Sequence, residues 1–390
     1  MKYNKLVVIH WQNIDKRYSD LSAIPELISK GVHVEFWDVS SISIPGYKVH
    51  SYTPPDGLDV KTVLNKKHFV DLLKSNDKNT LYLSHMTYGY NSFTCYRLLS
   101  RYKCDYAYCI NGCLPIIKSD YKSKASYYRS LSSKTIFNLF RQIVYNMIAK
   151  TPLVSDTNYV FATCKEAYNR KECKLGEKTK WVEYNSCDYQ QCITSSPQQA
   201  IIQNDAFVFI DQNLPFHPDN KLEGLSIDAD GYFAAMNVLF DAIERKYNKR
   251  VIIAAHPSCY DKYLNGRYFG DREIIQGKTL ELVKGAWGVI AHNSTAISFP
   301  IIYNKPLILV TTEDMHNVRK HTCRFCELYS KMLNCVYVKS ENEILLPDKL
   351  AVDEEAYSSF KYQYLTNKST ERISNGEILY NILQGKYRND

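Results

Sequence analysis

The stretch KTLELVKGAWGVIAHNSTAISFPIIYNKPLILVTT, residues 278–312, alternates between two kinds of pattern. KTLELVKGA and STAISFPIIYN have the spacing of short helices, whereas WGVIAHNS and KPLILVTT contain the apolar runs typical of buried strands. Helices and strands that alternate in this way predict a parallel sheet covered by helices.

The same alternation continues on both sides of this stretch. Before it come the strand candidate AFVFIDQ (206–212), the helix candidate GYFAAMNVLFDAIERKY (231–247) and the strand candidate RVIIAAHP (250–257). The first half contains five more strand candidates, with helix-like stretches such as SAIPELISK and HFVDLLKS between several of them: KLVVIHW, VHVEFWDV, TLYLSHM, DYAYCING and NYVFATC. We therefore predict an α/β protein with two Rossmann-like, doubly wound domains that face a cleft.

The periodic pattern lapses between residues 185 and 204, where NSCDYQQCITSSPQQAIIQN is rich in polar residues. We interpret this segment as a linker. A chain of 390 residues is long enough for two separate cores. The predicted domains therefore cover residues 1–198 and 199–390.

Composition and cysteine usage narrow the class of protein. The chain is 45% hydrophobic and 23% charged, which is ordinary for a globular protein. Its N-terminal apolar run, Leu6–Ile9, is too short for a signal peptide, and no stretch approaches the roughly 18 apolar residues of a membrane span. Twelve scattered cysteines indicate reduced thiols. These features predict a cytoplasmic protein.

The net charge of +8 is concentrated between Ile116 and Lys150, where seven basic residues accompany one acid, Asp120. Residues 134–150 also have one apolar stripe at helical spacing. This basic helix could lie on the inner face of a membrane as a peripheral contact. The interpretation that we favour is a core-facing helix with a solvated basic face. Nucleic-acid binding is not expected, since no recognition motif accompanies the charge.

Polar residues follow three predicted strands of the second half, at the point where each strand ends. They are Asp211 and Gln212 with nearby His217, then His256, Pro257 and Ser258, and then His292, Asn293, Ser294 and Thr295. Ligands of parallel sheets bind at the carboxyl ends of the strands. Hydroxyls and free backbone N–H groups at a helix start suit a phosphate, and an imidazole can donate to the same group. The sequence therefore predicts a phosphate-binding site at this edge.

The predicted strands of the first half end in a similar way. The residues just past their ends are His10, Trp11 and Gln12, then His85, and then Asn111 and Gly112. These residues, most of them polar and one the conformationally permissive Gly112, lie where a second ligand-binding crevice is expected.

The HPS tripeptide at 256–258, together with residues 278–312, resembles the nucleotide-binding half of GT-B glycosyltransferases of bacterial surface polysaccharides. The most similar patterns are those of bacterial sialyltransferases, capsule Kdo transferases and teichoic-acid glycerophosphotransferases. These proteins share an HP pair, a later Ser/Thr pair at a helix start, and a K-P pair, here Lys305-Pro306. The resemblance implies that His256 contacts the donor phosphate and that Ser294 and Thr295 hold it.

The resemblance also implies an activity. The expected enzyme moves a sugar, such as a CMP-activated sialic acid or Kdo, onto a glycan acceptor of capsule, O-antigen or lipooligosaccharide. The expected donor domain is the C-terminal one, the acceptor domain is the N-terminal one, and transfer is inverting. UDP or GDP sugars stay open as donors. Alternatives are a CDP-glycerol glycerophosphotransferase, a polysaccharide pyruvyltransferase and a non-catalytic binding protein.

The catalytic base is less clearly indicated. Sialyltransferases of this type carry an acidic D/E-D/E-G motif in the first domain, and no such triplet occurs before residue 200. The nearest similar stretch is Asp228-Ala229-Asp230-Gly231, beyond the predicted linker. A base must be a carboxylate or an imidazole that faces the acceptor hydroxyl. The candidates are His10, His85, Asp105, Asp188 and Asp211.

No cofactor or metal is expected besides the nucleotide-sugar donor, because no clean DxD pair follows a strand. One group of potential zinc ligands does occur, formed by His316, His321, Cys323 and Cys326. Its spacings are tight and no second C-x-x-C pair follows, so we do not expect a metal site there.

Overall fold

The computed structural model describes residues 1–44, 52–110, 114–115, 151–164, 172–195, 200–217, 220, 225–256, 260–340 and 344–386. These residues form two parallel sheets with flanking helices, and the predicted α/β, two-domain Rossmann-like fold is confirmed. The basic segment 116–150, with its predicted helix at 134–150, lies outside the described residues, as do Asn111, Gly112, Pro257 and Ser258.

The first sheet has the strand order β3-β2-β1-β4-β5-β6-β7, and all of its strand pairs are parallel. Its strands are β1 Lys5–His10, β2 His33–Asp38, β3 Asp59–Thr62, β4 Thr80–Ser84, β5 Asp105–Cys109, β6 Tyr159–Ala162 and β7 Lys180–Glu183. The accompanying helices are α1 Lys16–Leu21, α2 Ile24–Ser29, α3 Ser40–Ser43, α4 Lys66–Ser75, α5 Phe93–Arg101 and α6 Cys187–Thr194.

Successive residues of β1 serve two separate cores, because side chains alternate between the faces of a strand. Leu6 and Val8 pack with residues of α2, whereas Val7 and Ile9 pack on the other face with residues of α4 and α5. A strand that is buried on both faces must be apolar at nearly every position. This requirement explains the uninterrupted run LVVI.

The second sheet has the strand order β10-β9-β8-β11-β12-β13 and is also parallel. Its strands are β8 Ala206–Ile210, β9 Arg250–Ala255, β10 Ile274–Gln276, β11 Gly288–Ala291, β12 Leu307–Thr311 and β13 Val336–Lys339. The helices around it are α7 Ala229–Tyr247, α8 Tyr260–Gly266, α9 Thr279–Gly285, α10 Ser298–Ile302, α11 Glu313–Val318, α12 Lys320–Leu333 and α13 Glu354–Phe360. Short 3₁₀ turns occupy Leu214–Phe216 and Thr295–Ile297.

The C-terminal segment belongs to the first unit, not to the second. A π-helical turn at Lys361–Leu365 leads into this segment, and α14 Asn375–Leu383 follows. Contacts divide the chain into a first unit that includes everything from Tyr364 onward, and a second unit of Thr194–Gln363 with residues 114–115. Leu379 and Leu383 are fully buried among the core residues of the first unit. The predicted domain of residues 199–390 therefore extends too far.

The predicted linker at 185–204 is wrong in its first half, because α6 occupies Cys187–Thr194. Asn185 and Gln190 in this stretch are buried and hydrogen-bonded: the Asn185 N–H donates to Asn375 Oδ1 at 3.0 Å, and Gln190 Oε1 accepts from the Asn375 N–H at 2.7 Å. Buried amides of this kind remove the apolar periodicity by which a helix is recognised in sequence.

Two further findings concern the described part of the chain. Every cysteine in it is a free thiol. None of its helices combines the length and the apolar character that crossing a bilayer requires.

Candidate functional site

The carboxyl ends of β9, β8 and β11 lie side by side at one edge of the second sheet. Ile210 pairs with Ala254 on one side and with Ala291 on the other, so the next residues of all three strands emerge together. The structure thus brings together the segments that carry Asp211, His256 and Asn293.

Asp211 joins the ends of β8 and β9. Its Oδ2 accepts from the His256 backbone N–H at 3.0 Å and from the Tyr263 hydroxyl at 2.9 Å, and its Oδ1 accepts from the Asn213 N–H at 2.9 Å. Burial raises the pKa of this carboxyl above its usual range, although these donors oppose the shift. Since the carboxylate is buried and already accepts three hydrogen bonds, we infer a positioning role for Asp211 in place of the predicted catalytic one.

His256 and His217 form a pair of imidazoles at this edge. Both side chains are partly exposed, and their ring centroids lie 6.1 Å apart. Burial lowers the pKa of His256; the Asp211 carboxylate opposes this shift and the neighbouring His217 adds to it. A neutral imidazole of this kind can donate one hydrogen bond to a ligand oxygen.

His292 lies in the core, contrary to its predicted place among the phosphate ligands. Its side chain is fully buried; Nδ1 lies 2.7 Å from the Val310 carbonyl oxygen and Nε2 lies 2.8 Å from the Tyr232 hydroxyl. A carbonyl can only accept, so Nδ1 carries the proton and Nε2 accepts from Tyr232. Burial lowers the pKa of the imidazole to about 4. Both nitrogens are therefore used inside the fold, and the ring cannot reach a ligand.

The polar residues Asn293, Ser294 and Thr295 follow β11 at the carboxyl edge of the second sheet. Ser294 caps the 3₁₀ turn through Oγ, which accepts from the Ala296 N–H at 3.2 Å, and the Thr295 side chain is exposed. The predicted helix start is thus a 3₁₀ turn, and α10 begins only at Ser298. Gln212 donates from Nε2 to the Asn293 carbonyl oxygen. Its Oε1 is buried without a hydrogen-bond partner among the described residues.

The corresponding edge of the first sheet holds His10 and His85. His10 is the last residue of β1 and is completely buried; its ring centroid lies 4.0 Å from that of Tyr18 and 6.3 Å from that of His85. His85 Nε2 lies 2.7 Å from Ser22 Oγ. Burial, with smaller contributions from the neighbouring His85 and Arg17, lowers the pKa of His10 to about 2. The two predicted histidines therefore lie in one polar cluster.

The two acidic candidates of the first unit lie in different places. Asp105 begins β5, so it lies at the amino edge of the sheet, where it accepts from the Tyr3 hydroxyl at 2.8 Å and from Asn158 Nδ2 at 2.9 Å. Because ligands of parallel sheets bind at the carboxyl edge, this position argues against the base role that the sequence left open for Asp105. Asp188 lies in the first turn of α6, which follows β7, and its side chain is partly exposed. It stays a candidate.

Several tyrosines that sequence reasoning missed contact these sites. They are Tyr18 on His10, Tyr232 on His292 and Tyr263 on Asp211. In a chain with 32 tyrosines, no local pattern separates these three from the rest. Only the approach of α1, α7 and α8 to the strand ends identifies them.

The four potential zinc ligands between residues 316 and 326 contact other residues of the second unit. His316 Nε2 lies 2.9 Å from Thr311 Oγ1, and the His321 ring packs on Phe325. Cys323 and Cys326 are buried along α12.

Within the described ranges, one group of side chains is close enough together to hold a metal ion: His33, Glu35 and Asp59. Glu35 is buried there and already pairs with Lys5 at 2.5 Å and Lys61 at 2.8 Å. Two ammonium groups on the central carboxylate oppose the binding of a cation. We therefore assign this group to a salt-bridge network.

A cavity of about 680 Å³ opens at the amino ends of β9 and β10, on the opposite edge of the second sheet from the predicted site. Most of the charged side chains that line it are paired. Arg272 donates to Glu244 at 2.7 Å and also contacts Asp241, and Arg250 donates to Glu273 at 2.8 Å. Because these pairs use most of the charged groups that line the cavity, we assign no ligand to it.

The chain matches no family model, and it matches no curated protein sequence. Its fold is similar to solved structures at low sequence identity. The glycosyltransferase of kitacinnamycin aligns with a TM-score of 0.53 at 10% identity, covering 99% of each chain. CalG4, the calicheamicin glycosyltransferase, gives 0.51 at 10% identity over the whole of both chains. A variant of the wall teichoic acid polymerase TagF gives 0.50 at 9% identity, covering 99% of this chain and 90% of that one.

Proposed function

We propose that the protein is a glycosyltransferase that moves a sugar from a nucleotide donor to a glycan acceptor. The observation that carries the proposal is the convergence of three strand ends, those of β8, β9 and β11, at one edge of the second sheet. That edge presents the imidazoles of His256 and His217 and the exposed hydroxyl of Thr295. The likeness of the fold to glycosyltransferases supports this assignment.

The second unit binds the donor in this proposal. His256 donates a hydrogen bond to a phosphate oxygen, while Ser294 and Thr295 offer hydroxyl and backbone donors to the same group. Donors held in place before reaction stabilise the charge that develops on the departing phosphate. Among nucleotides we favour CMP, because the HP pair and the Ser/Thr pair resemble the corresponding pairs of sialyltransferases and Kdo transferases.

The first unit binds the acceptor and supplies the base. The acceptor hydroxyl oxygen forms a bond to the anomeric carbon, and the bond from that carbon to the phosphate oxygen breaks. Its electron pair leaves with the nucleotide, and the hydroxyl proton passes to an imidazole. His10 and His85 are favoured as this base because they share one cluster at the carboxyl edge. Inversion at the anomeric carbon and independence from metal belong to the proposal.

A second candidate is transfer of glycerol phosphate from CDP-glycerol. The likeness to the wall teichoic acid polymerase TagF favours it over pyruvyl transfer. The acceptor belongs in either case to a bacterial surface glycan. Peripheral contact with the inner face of a membrane through residues 134–150 stays a prediction, since these residues lie outside the described ranges.

A screen of donors by thermal unfolding tests the proposal. CMP, UDP, GDP, CDP-glycerol and phosphoenolpyruvate are added in turn. A ligand at 100 times its Kd adds about 2.7 kcal/mol to the free energy of unfolding. We expect CMP to stabilise the protein, and His256→Ala and Thr295→Ala to reduce the effect. His321→Ala, at an exposed position of the same unit, is the matched control. Stabilisation by CDP-glycerol alone would favour the second candidate, and no stabilisation by any nucleotide would contradict both.

A further inference from the structure

Helix α1 covers His10, the last residue of β1, through the side chain of Tyr18. Tyr18, on this helix, packs its ring on His10 with 4.0 Å between centroids and 38° between planes. Tyr18 itself is partly exposed, whereas the imidazole beneath it has no accessible surface. The Tyr18 ring therefore lies between the His10 imidazole and solvent.

The buried imidazole is unusual because neither nitrogen has a hydrogen-bond partner within the described chain. Buried polar groups are nearly always satisfied, so an exception in a native fold calls for an explanation. The ionisable groups around it are His85 from the end of β4, and Arg17 and Tyr18 from α1. A positive neighbour and loss of water both disfavour protonation. In this arrangement the ring can neither accept a proton readily nor bind a ligand.

Short-range bonds at its ends hold α1 in place. Asp15 Oδ1 caps it by accepting from the Tyr18 N–H at 2.8 Å, and Gln12 Nε2 donates to Asp15 Oδ2 at 2.9 Å. At the other end, Ser22 contacts His85. Beneath the helix, Ser19 Oγ is also buried without a partner in the described residues. A six-residue helix has little stability of its own, and opening it would give these orphaned groups access to water.

We propose that α1 is a gate over His10, with Tyr18 as its closing side chain, and that an acceptor hydroxyl reaches the imidazole only when this gate opens. Opening hydrates the ring and raises its pKa from about 2 toward the ordinary 6.5, where it can act as a base. Trp11, partly exposed beside His10, then offers a face on which a sugar ring can stack. This inference rests on the proposed function for the identity of the acceptor, whereas the gate itself can be tested without transfer.

Chemical modification tests the gate directly. Diethylpyrocarbonate reacts with accessible neutral imidazoles, and mass spectrometry of peptides reports each histidine separately. In the wild type we expect His10 to react at least about tenfold more slowly than the exposed His33, because opening must precede modification. Tyr18→Ala should remove most of that difference. Tyr90→Ala, which truncates an exposed tyrosine of the same unit, is the matched control and should leave it intact.

Two more variants separate gating from unfolding. Tyr18→Phe keeps the ring and should keep His10 protected. Asp15→Ala removes the cap of α1 but leaves Tyr18 in place, and should give intermediate reactivity. Reactivity of His33 and circular dichroism should be unchanged in all of them if the unit stays folded. Two outcomes would contradict the gate proposal. One is equal reactivity of His10 and His33 in the wild type, and the other is unchanged protection of His10 in a folded Tyr18→Ala protein.

Nuclear magnetic resonance of labelled histidines provides a second readout. The His10 imidazole should stay neutral throughout the physiological pH range in the wild type and in Tyr90→Ala. In Tyr18→Ala its pKa should rise toward the ordinary value of 6.5, while the neighbouring His85 and Arg17 keep it below that value. A wild-type His10 that already titrates near that value would contradict the closed state. Neither readout needs a nucleotide-sugar donor. The gate can therefore be confirmed even if the nucleotide screen contradicts the glycosyltransferase proposal.

Discussion

Acidification is expected to destabilise the second unit through His292. The imidazole is fully buried, donates from Nδ1 to the Val310 carbonyl and accepts at Nε2 from the Tyr232 hydroxyl. Protonation at Nε2 would replace the acceptor of that second bond by a donor and would place a positive charge in the core. These costs are the reason that burial lowers its pKa from 6.5 to about 4.

The sign and the size of the effect follow from this shift. The unfolded chain binds a proton at His292 near pH 6.5, whereas the folded chain does so only near pH 4. The stabilising contribution is therefore fully present above pH 6.5 and is lost as the pH falls to about 4. At about 1.4 kcal/mol for each pH unit, the loss amounts to about 3 kcal/mol.

The assay compares urea unfolding of the wild type and of His292→Gln between about pH 7 and about pH 4. Hydrogen-exchange mass spectrometry on peptides of the second unit follows that unit alone. Glutamine can still accept from Tyr232 but does not titrate, so the wild type should lose about 3 kcal/mol more than the variant over this range. His321→Gln, at an exposed position of the same unit, should behave like the wild type. Parallel pH profiles for the wild type and His292→Gln would refute the reasoning.

Two further substitutions test the positioning role of Asp211 and the place of α14 in the first core. Asp211→Asn replaces one acceptor oxygen by an NH₂ group. The carboxyl oxygens of Asp211 accept from backbone N–H groups and the Tyr263 hydroxyl, so the new donor would face other donors. We expect it to lower the free energy of unfolding by about 2–3 kcal/mol in urea, and the exposed Asp205→Asn to have little effect. Leu379→Ala opens a cavity in the first core and should cost about 2–5 kcal/mol, whereas Leu345→Ala at a 74% exposed position should stay within about 0.5 kcal/mol. Unchanged stability of Asp211→Asn, or faster hydrogen exchange confined to the second unit in Leu379→Ala, would contradict these assignments.

The interior strands could be predicted because their burial imposes a local pattern, whereas the less buried edge strands β3, β7, β10 and β13 were not predicted. RVIIAAHP contains β9 Arg250–Ala255, and WGVIAHNS contains β11 Gly288–Ala291. A parallel strand covered on both faces needs consecutive apolar residues, and a run of this kind is visible without any tertiary information. Because parallel strands share one carboxyl edge, the convergence of their ends could be anticipated as well.

The errors arose where long-range contacts replace a local pattern. The helix at Cys187–Thr194 is stabilised in part by amides that pair with Asn375, about 185 residues away. The C-terminal helix joins the first core although it follows the second sheet in the chain. Neither partner can be identified from nearby residues.

The sequence by itself determined the fold class, the interior strands of both sheets and the edge at which the candidate sites lie, since each depends on the alternation of side chains along a backbone of fixed geometry. The tertiary structure alone decided what each strand-end histidine does. His10, His256 and His292 all follow similar apolar runs. One is covered by Tyr18, one is partly exposed beside His217, and one is bonded twice within the core. These differences depend on which helix approaches each strand end, and that approach is decided by packing between residues far apart in sequence.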